Sequence, residues 1–317
     1  MTHRGAFYEA PRRILAVDND LESMRIRRKF LLRVARDKRE YERSVVPTAE
    51  LLQKLKERGI DLFSFAERKW CPRIQNPEES WVRSDENIAL LKLSSYDEWW
   101  KEIGKKTRNM IRKAEKSGVK ASVAEPNEKL AEGIWKIYNE TPIRQERASQ
   151  KYGTTLQQVT TSLRSLPNRT YVGAYFRHEL AGFMELIHGD NLMIISQILS
   201  LKKHWDKAAN NVLIAKLVEV CLNDGVHWVM YGRMGDFSSL SLDNFKQNNG
   251  FRRFQLTRYH IPITKKGELA IKLRLHKEMS DILPQSTRYH LAPIYYWFSR
   301  NRMRLVVYSK QARTNNK

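Results

Sequence analysis

The sequence predicts an α/β fold, a mixed sheet covered by helices, and three observations support this. Three apolar strands at 170–176, 179–187 and 192–200 follow one another, joined by short turn-forming segments typical of hairpins. A helical segment runs from about 207 to 223, and strand, helix and strand then follow up to about 262. Apolar residues make up 41% of the chain, enough for a full hydrophobic core. This order of elements is that of a mixed α/β sheet.

The N-terminal part predicts two helices and two strands. Residues 25–43 carry nine basic and three acidic side chains beside an apolar side, which predicts a basic amphipathic helix. A shorter helix is expected over 48–58, where Gly59 ends it. The strands are expected at 60–70 and 88–95.

The segment after Ser95 predicts a helix with an apolar and a basic face. Ser95 and Glu98 have the S-x-x-E spacing of a capping box, and Gly118 suits the left-handed C-terminal cap. The predicted buried stripe consists of Trp100, Ile103, Thr107, Ile111 and Ala114. Six cations lie between Lys105 and Lys116 and are opposed by Glu115 alone. A strand is expected next at 119–125.

The second half opens with a predicted helix over 127–139 and an irregular basic loop over 141–153. The tail after Thr264 carries twelve basic and three acidic residues with clustered aromatic side chains. It is expected to be helical. Two interpretations are equally weighted, a helical pair packed on the rest of the chain or a segment that lies on an anionic membrane surface.

The net charge is +22, from 57 basic and 35 acidic residues, and such a field concentrates anions. Nucleic acid, phosphorylated substrates and the negative face of a membrane all fit, as does plain adaptation of surface charge. The sequence shows no secretory signal and no apolar run of the roughly 18 to 20 residues that a spanning helix needs. Cys71 and Cys221, the two cysteines, lie far apart in the sequence, so no disulfide framework is expected. We therefore expect a cytoplasmic protein, or one peripheral to the inner face of the membrane.

Several classes of chemistry lack their motifs. The sequence has no G-x-S-x-G, Walker or G-x-G-x-x-G pattern. The eight histidines are scattered without an H-x-x-x-H pair, so no metal site is expected, and His227 is interpreted as a structural histidine.

Four segments carry a family resemblance: KKTRNMIRKAEKSGV at 105–119, TPIRQERASQKYG at 141–153, AANNVLIAKLVEVCLNDG at 208–225, and the FK-x-x-x-G element at 245–250. Together they resemble the Fem family, the peptidoglycan-bridge aminoacyltransferases built from paired GNAT-like units. The likeness spans about residues 88 to 265.

The resemblance implies two GNAT-like lobes in tandem and transfer of an acyl group from an activated carrier to an amine. An N-terminal lobe with basic helices is expected over 1–125, an acyltransferase domain over 126–265, and the basic, aromatic tail over 266–317. The donor would be acyl-coenzyme A or aminoacyl-tRNA, which makes tRNA a candidate partner. The acceptor would be an amine, with a cell-envelope or polysaccharide precursor as the family's example.

The resemblance also implies catalytic residues. In GNAT folds a splayed central strand offers a backbone amide to the reacting carbonyl oxygen, and here that strand is 192–200. The expected donors lie at Leu199, Ser200 and Leu201. Lys246 of the FK element is expected to stabilise developing charge, with a solvated helix lysine as the alternative. Tyr231 is expected to protonate a leaving thiolate, with simple packing as the alternative.

The expected donor site departs from the usual GNAT pattern. Acetyl-coenzyme A users have Q/R-x-x-G-x-G/A before the central helix, whereas this chain has LKKHWDKAANN without a glycine. The candidate phosphate contacts are Lys202, Lys203, Ala208, Ala209, Asn210 and Asn211. The missing glycines favour a tRNA-borne or otherwise atypical donor.

Candidate substrate contacts come from two regions. The basic helix supplies Lys105, Lys106, Arg108, Arg112 and Lys113, which suit the phosphates of tRNA, a nucleotide-linked sugar or a lipid carrier, or else form a solvated face. The remaining candidates are Arg144, Tyr152, Arg233 and Phe245. Three alternatives stay open: a nucleic-acid-binding protein without catalysis, an acetyl-coenzyme A-dependent N-acetyltransferase of a small molecule, and an inactive scaffold.

Overall fold

The computed structural model describes residues 21–29, 31–42, 47–67, 81–144, 147–166, 168–189, 191–235 and 240–277. Contacts divide the chain into two units. Unit 1 comprises residues 1–84 and 257–275, and unit 2 comprises residues 85–256 and 276–317. The sequence predicted domain boundaries at 125/126 and 265/266, which differ from those of the two units. The three segments expected from the sequence stay a prediction. The tail was predicted to pack on the rest of the chain or to contact a membrane. Its residues from 278 onward lie outside the described part of the chain.

The described chain contains strands and helices in a mixed order, which confirms the α/β class. The strands are β1 (Met24–Lys29), β2 (Leu32–Asp37), β3 (Leu62–Glu67), β4 (Val82–Lys92), β5 (Lys120–Ala124), β6 (Ile143–Arg144), β7 (Arg147–Ala148), β8 (Arg169–Phe176), β9 (Glu179–Gly189), β10 (Leu192–Ser200), β11 (Trp228–Arg233) and β12 (Arg252–Pro262). The α-helices are α1 (Ala49–Glu57), α2 (Tyr96–Glu102), α3 (Lys105–Lys116), α4 (Glu128–Asn139), α5 (Leu156–Ser165), α6 (Ala209–Asn223), α7 (Leu240–Asn248) and α8 (Lys265–Lys272). Two 3-10 helices lie at Leu21–Ser23 and Lys202–Lys207.

Unit 1 is built on a four-stranded sheet in the order β1-β2-β3-β12. β2 runs parallel to β3, and the other neighbours are antiparallel. Helix α1 is capped by the Thr48 hydroxyl and ends at Arg58, before Gly59, as predicted. Its side chains Leu51 and Leu55 pack with Phe63 and other apolar residues of the sheet.

The predicted basic helix over 25–43 is wrong, because this region forms the β1–β2 hairpin. The backbone of β2 pairs with β3 through Val34 and Ala35, so its hydrogen bonds are made between strands. Of the apolar residues of the predicted helix, Leu32 and Ala35 are buried on β2, whereas Leu31 is 83% exposed at the turn. Sheet pairing therefore overrides local helix propensity here.

Unit 2 is built on the strands β4-β11-β10-β9-β8-β5. The antiparallel pairs β8–β9 and β9–β10 confirm the three predicted neighbouring strands. Helices α3 and α6 pack on one face, against residues such as Met184 and Met193. Helices α4 and α5 pack on the other face, against residues such as Tyr171 and Phe183. Alternate side chains of β8, β9 and β10 thus belong to two separate cores.

The helix predicted after Ser95 is two helices, because the backbone of Ile103 is extended and breaks the segment before Gly104. The Ser95 hydroxyl caps α2 as predicted, but the Glu98 carboxylate bonds to Ser94 instead of closing the box. Trp99 is buried where Trp100 was expected, while the rest of the predicted stripe is buried. None of the described helices combines the length and the apolar character needed to span a membrane.

Candidate active site

The central feature of unit 2 is the point where β10 separates from β11. These parallel strands pair at Met193↔Val229 and Ile194↔Met230, and the ladder among the described residues comprises these two pairs. One residue later, β10 carries a bulge against β9, since Ile195 pairs with Leu186 and Gln197 with Glu185. The extra residue, Ser196, is exposed. A bulge beside a diverging strand pair is a common way to open a sheet next to an active site.

The part of β10 that follows the bulge, residues 197–200, has one edge that faces β9 and one that faces away from it. The Leu201 amide donates to the Ala181 carbonyl oxygen at 2.8 Å, so it points towards β9. Because successive amides of a strand point to opposite edges, the amides of Ile198 and Ser200 point towards the side where β11 diverges. Three backbone amides were predicted to donate to the reacting carbonyl oxygen. Of these, the Ser200 amide points to the side where β11 diverges, whereas the Leu201 amide is used within the sheet.

A row of polar side chains, each buried or half-buried, crosses the sheet beside the bulge. Gln197 Nε2 donates to Glu185 Oε2 at 2.8 Å, and the Tyr138 hydroxyl of α4 donates to Gln197 Oε1 at 2.9 Å. Glu185 is 5% exposed, although an ionised carboxylate is costly to bury. All three side chains lie on the α4 side of the sheet.

Two residues of β8 complete the row. The Tyr171 hydroxyl lies 3.4 Å from Glu185 Oε1, and Arg169 Nη1 lies 3.6 Å from the same oxygen. Burial raises the pKa of Tyr138 to about 12 and also raises that of Tyr171, so both phenols stay neutral donors. Glu185 is thus held by neutral hydrogen-bond donors and by one loosely placed cation.

Sequence reasoning missed this row. Its signal is a Glu and a Gln inside the apolar strands ELAGFMELI and LMIISQILS, where polar residues are unusual. Strict alternation would have separated them, because it places Gln197 on the same face as Ile195. The bulge reverses that phase and brings Gln197 to Glu185.

The amides that follow β10 are occupied by a carboxylate of the chain itself. Both Glu140 oxygens lie 2.7 Å from the Lys202 amide nitrogen, and Oε1 lies 3.3 Å from that of Lys203. Arg144 holds this arrangement, since its guanidinium contacts Glu140 at 3.2 Å and donates to the Ser200 carbonyl oxygen at 2.9 Å. It also bonds to the carbonyl of Ile137. Arg144, predicted as a substrate contact, here joins the end of α4 to the edge of β10.

The start of α6 is partly buried. Ala208 has a left-handed backbone with φ of 53°, and Ala208 and Ala209 are buried in the apolar core. The Asn211 amide donates to the Ala208 carbonyl at 3.0 Å. Asn210 is half-buried, and its Oδ1 has no hydrogen-bond partner among the described residues. The phosphate contacts predicted at Ala208, Ala209, Asn210 and Asn211 stay predictions.

Lys246 and Tyr231 lie together, on the face of α3 and α6. Lys246 Nζ is 4.8 Å from the centre of the Tyr231 ring and donates to the Arg233 carbonyl oxygen at 2.6 Å. Lys246 is 3% exposed, so the alternative of a solvated helix lysine is wrong. Phe245 packs against the same core, and Arg233 Nε lies 3.2 Å from Glu86. Burial raises the pKa of Tyr231, which makes it a weaker acid.

The structure does not bring this pair to Glu185, because the two groups belong to opposite faces of the sheet. The catalytic roles predicted for Lys246 and Tyr231 stay predictions.

The basic face of α3 is exposed except at one position. Lys105, Lys106, Arg112 and Lys113 are exposed, and the Arg112 guanidinium lies 5.3 Å from the Trp100 ring centre. Arg108 instead donates to the carbonyl oxygens of Trp100, Lys101 and Ile103 at 2.6–3.2 Å, and so caps α2. Arg108 therefore stabilises the end of α2, and the predicted contact with a phosphate would compete with these hydrogen bonds.

Tyr152 and His227 lie in two further parts of the structure. Tyr152 is half-buried in the turn after the short β6–β7 hairpin. His227 Nδ1 lies 3.0 Å from the Leu93 carbonyl oxygen, as fits a structural histidine. Among the described residues, no group of three or more His, Cys, Asp or Glu is placed to hold a metal ion.

Comparison with known proteins defines the fold. No family model and no curated protein matches the chain. The structure of L-PGS from Bacillus licheniformis is 13% identical, covers 80% of this chain and 84% of its own, and has a TM-score of 0.51. The C-terminal domain of a putative lysylphosphatidylglycerol synthetase from Agrobacterium fabrum is 10% identical, covers 78% and 83%, and has a TM-score of 0.50.

FemX is 10% identical, covers 72% of this chain and 71% of its own, and has a TM-score of 0.45. The likeness to the first two structures concerns the fold, since the identities are so low. The chain shares its overall fold with these two structures.

Proposed function

We propose that this protein transfers an acyl or aminoacyl group from an anionic carrier to an amine. The observation that carries the proposal is the divergence of β10 from β11 after Ile194, with the bulge at Ser196 beside the buried carboxylate of Glu185. The divergence supplies room for an activated carbonyl next to strand amides that face it. The carboxylate supplies a negative charge that attracts an ammonium group.

The proposed reaction needs no nucleophile from the protein. The acceptor nitrogen attacks the carbonyl carbon of the donor ester or thioester, the C–N bond forms, and the C–O or C–S bond breaks. The acceptor ammonium gives one proton to the Glu185 carboxylate before its nitrogen attacks, and the second proton that the nitrogen loses passes to the leaving oxygen or sulfur. The amides of Ile198 and Ser200 stabilise the charge on the carbonyl oxygen, and orientation of the two reactants supplies much of the acceleration.

The donor is proposed to be a carrier other than coenzyme A bound in the usual GNAT manner. Glu140 occupies the Lys202 and Lys203 amides, and its negative charge repels a pyrophosphate at that position. The absence of glycine from LKKHWDKAANN supports the same conclusion. Aminoacyl-tRNA is therefore the favoured donor, and a cell-envelope or polysaccharide precursor that carries an amine is the proposed acceptor.

Two measurements test this function. Native mass spectrometry of the purified protein with coenzyme A esters and with aminoacyl-tRNA detects which carrier is retained. A transfer assay with the retained donor and a panel of amines then compares Glu185→Gln with the wild type. We expect a loss of about 100-fold or more, the range for removing a general base.

Glu132→Gln is the matched control, because Glu132 is an exposed carboxylate on α4 and its variant should keep full activity. Equal rates for the two variants would remove Glu185 from the chemistry. If neither donor class is retained or consumed, the proposal fails and nucleic-acid binding without catalysis becomes the better account.

A further inference from the structure

The three most exposed large apolar side chains among the described residues lie in one part of unit 1. Leu31 is 83% exposed in the turn between β1 and β2. Leu269 of α8 and Leu273 at the end of that helix are 55% and 60% exposed. Single exposed leucines are ordinary on a protein surface, but a group of the most exposed ones marks a site of interaction.

Contacts place the hairpin turn and helix α8 beside each other. Lys266 Nζ donates to the Leu31 carbonyl oxygen, which joins the first turn of α8 to the hairpin. Ala270 of α8 and Leu32, the first residue of β2, belong to one buried apolar cluster. The turn at Leu31 is therefore within the reach of one lysine side chain from α8.

Helix α8 has one buried and one exposed face. Gly267 and Ala270 are buried, and a Cβ on Gly267 would clash with the Asp61 backbone, so this side is pressed against the sheet. The Leu273 amide donates to the Leu269 carbonyl at 2.9 Å, so the two leucines keep helical spacing and are neighbours along the outer side. The packing of the buried face thus directs both leucines into solvent.

Exposed lysines border these leucines. Lys265 precedes Leu269 by four positions and Lys272 follows it by three, so both cations adjoin it on the helix surface. Lys266 lies at the same end of α8, and Glu268 is the one acidic residue of the helix. We call this region the leucine face; it comprises Leu31, Leu269, Leu273, Lys265, Lys266 and Lys272.

We propose that the leucine face docks on the surface of an anionic lipid bilayer, with its leucines at the boundary of the acyl chains and its lysines on the headgroup phosphates. Apolar side chains bordered by cations are typical of helices that lie in a membrane interface. The long stems of the lysines let their ammonium groups reach the headgroups while the leucines insert. For the region after Thr264, this assigns the membrane contact to α8 and adds the β1–β2 turn to it.

The composition of the leucine face favours a bilayer over other partners. Protein interfaces are enriched in aromatic residues and arginine and depleted in lysine, whereas this face combines leucine with lysine. A single-stranded nucleic acid is held by bases stacked on aromatic rings, and the leucine face contains no ring. Its apolar side chains project from a turn and from the outer side of a helix, which suits insertion into a soft layer.

This inference goes beyond the proposed transfer reaction. It uses residues of unit 1 alone, and it requires neither Glu185 nor an acyl donor. Its consequence for the proposed function is that the protein acts on acceptors held at a membrane surface. Binding to vesicles is measured without any substrate, so the two proposals are tested separately.

The experiment measures co-sedimentation of the full chain with vesicles of phosphatidylserine and phosphatidylcholine in equal parts. Leu269→Gln/Leu273→Gln should weaken binding at least about 10-fold, because the polar side chains gain little from leaving water, and Leu31→Gln should act in the same direction. Leu156→Gln/Leu166→Gln is the matched control, since these leucines are exposed at the two ends of α5. Its affinity should stay within about 2-fold of the wild type.

The lysines are tested by the charge of the vesicles. Lys265→Gln/Lys272→Gln should weaken binding to the mixed vesicles about 20-fold, at about 5-fold for each lysine, and should leave binding to phosphatidylcholine alone unchanged. Lys129→Gln/Lys136→Gln, at two exposed lysines of α4, is the control and should change neither.

Absence of vesicle binding by the wild type, or equal losses in the α8 and α5 leucine variants, would overturn the proposal. Binding that persists in Leu269→Gln/Leu273→Gln would assign the contact to another part of the chain and would overturn it too. So would a wild-type dimer, seen by light scattering, that this variant dissociates, because the leucine face would then cover a second copy. Glu185→Gln should bind vesicles like the wild type, so failure of the transfer reaction and failure of the leucine face are distinguishable.

Discussion

Glu40 of unit 1 and Glu185 of unit 2 are both buried carboxylates, and their surroundings differ. In unit 1 the Glu40 carboxylate meets the Arg258 guanidinium in a two-pronged pair at 3.0 and 3.1 Å. Tyr41 and Ser64 accept further hydrogen bonds from Arg258, at 3.1 and 3.3 Å. In unit 2 the Glu185 carboxylate meets neutral donors at close range and a cation at 3.6 Å.

The difference separates a structural charge from one available for chemistry. A buried carboxylate that is fully paired with a guanidinium has its charge compensated and gains little from a further cation. A buried carboxylate held by Gln197 and Tyr171 keeps a negative field that an incoming ammonium can satisfy. Comparing the two glutamates thus gives a physical reason to place the acceptor amine in unit 2.

The largest stability effect is expected from breaking the compensated pair. Glu40→Ala removes the carboxylate that pairs with the buried Arg258 guanidinium, which should lower the free energy of unfolding by about 3–5 kcal/mol. Urea unfolding followed by circular dichroism measures this. Glu57→Ala, at an exposed carboxylate of α1, is the control and should cost no more than about 0.5 kcal/mol. A small effect of Glu40→Ala would mean that the pair contributes little to the free energy of unfolding.

A much smaller stability effect is expected at Glu185. Glu185→Gln keeps the shape and an acceptor oxygen for Gln197, so the free energy of unfolding should fall by about 1 kcal/mol in the same urea experiment. Its main consequence should be the loss of transfer described above. If Glu185→Gln destabilises the protein as strongly as Glu40→Ala does, Glu185 is a structural charge and the contrast between the units disappears.

The smallest effect concerns Tyr138, which donates to Gln197 in the row. Its pKa is raised from 10.0 to about 12, so its contribution to stability is complete below pH 10 and is lost as the pH rises towards 12. Tyr138→Phe should therefore show a flatter decline of unfolding free energy across this window than the wild type. Phenolate absorbance, recorded alongside, should show one fewer late-titrating tyrosine. Identical pH profiles would mean that Tyr138 is not buried as described.

Much of unit 2 could be predicted from the sequence because its signals are local. The three neighbouring strands, the cap at Ser95 and the turn at Gly118 each depend on residues within a few positions of one another. The likeness to the Fem and GNAT enzymes likewise rests on contiguous segments.

The predictions that were wrong and the features that were missed depend on contacts between residues far apart in the sequence. The β1–β2 hairpin forms where β2 can pair with β3, about 28 positions along the chain, as at Val34 and Leu62. Glu140 and Lys202, separated by 62 positions, meet only in the folded chain. No periodicity in the sequence contains that contact, so the occupied amides could not be foreseen.

Ser196 is dispensable for the architecture of the strand that contains it. Ile195 and Ile198 belong to the core under α6, and Leu199 packs in the core under α4. A chain lacking Ser196 would regain plain alternation while each of these neighbours kept its own side. Packing alone thus gives no reason to retain this residue. We expect a one-residue deletion at this position to give a folded protein with a regular β9–β10 ladder, so the bulge serves the site and not the packing.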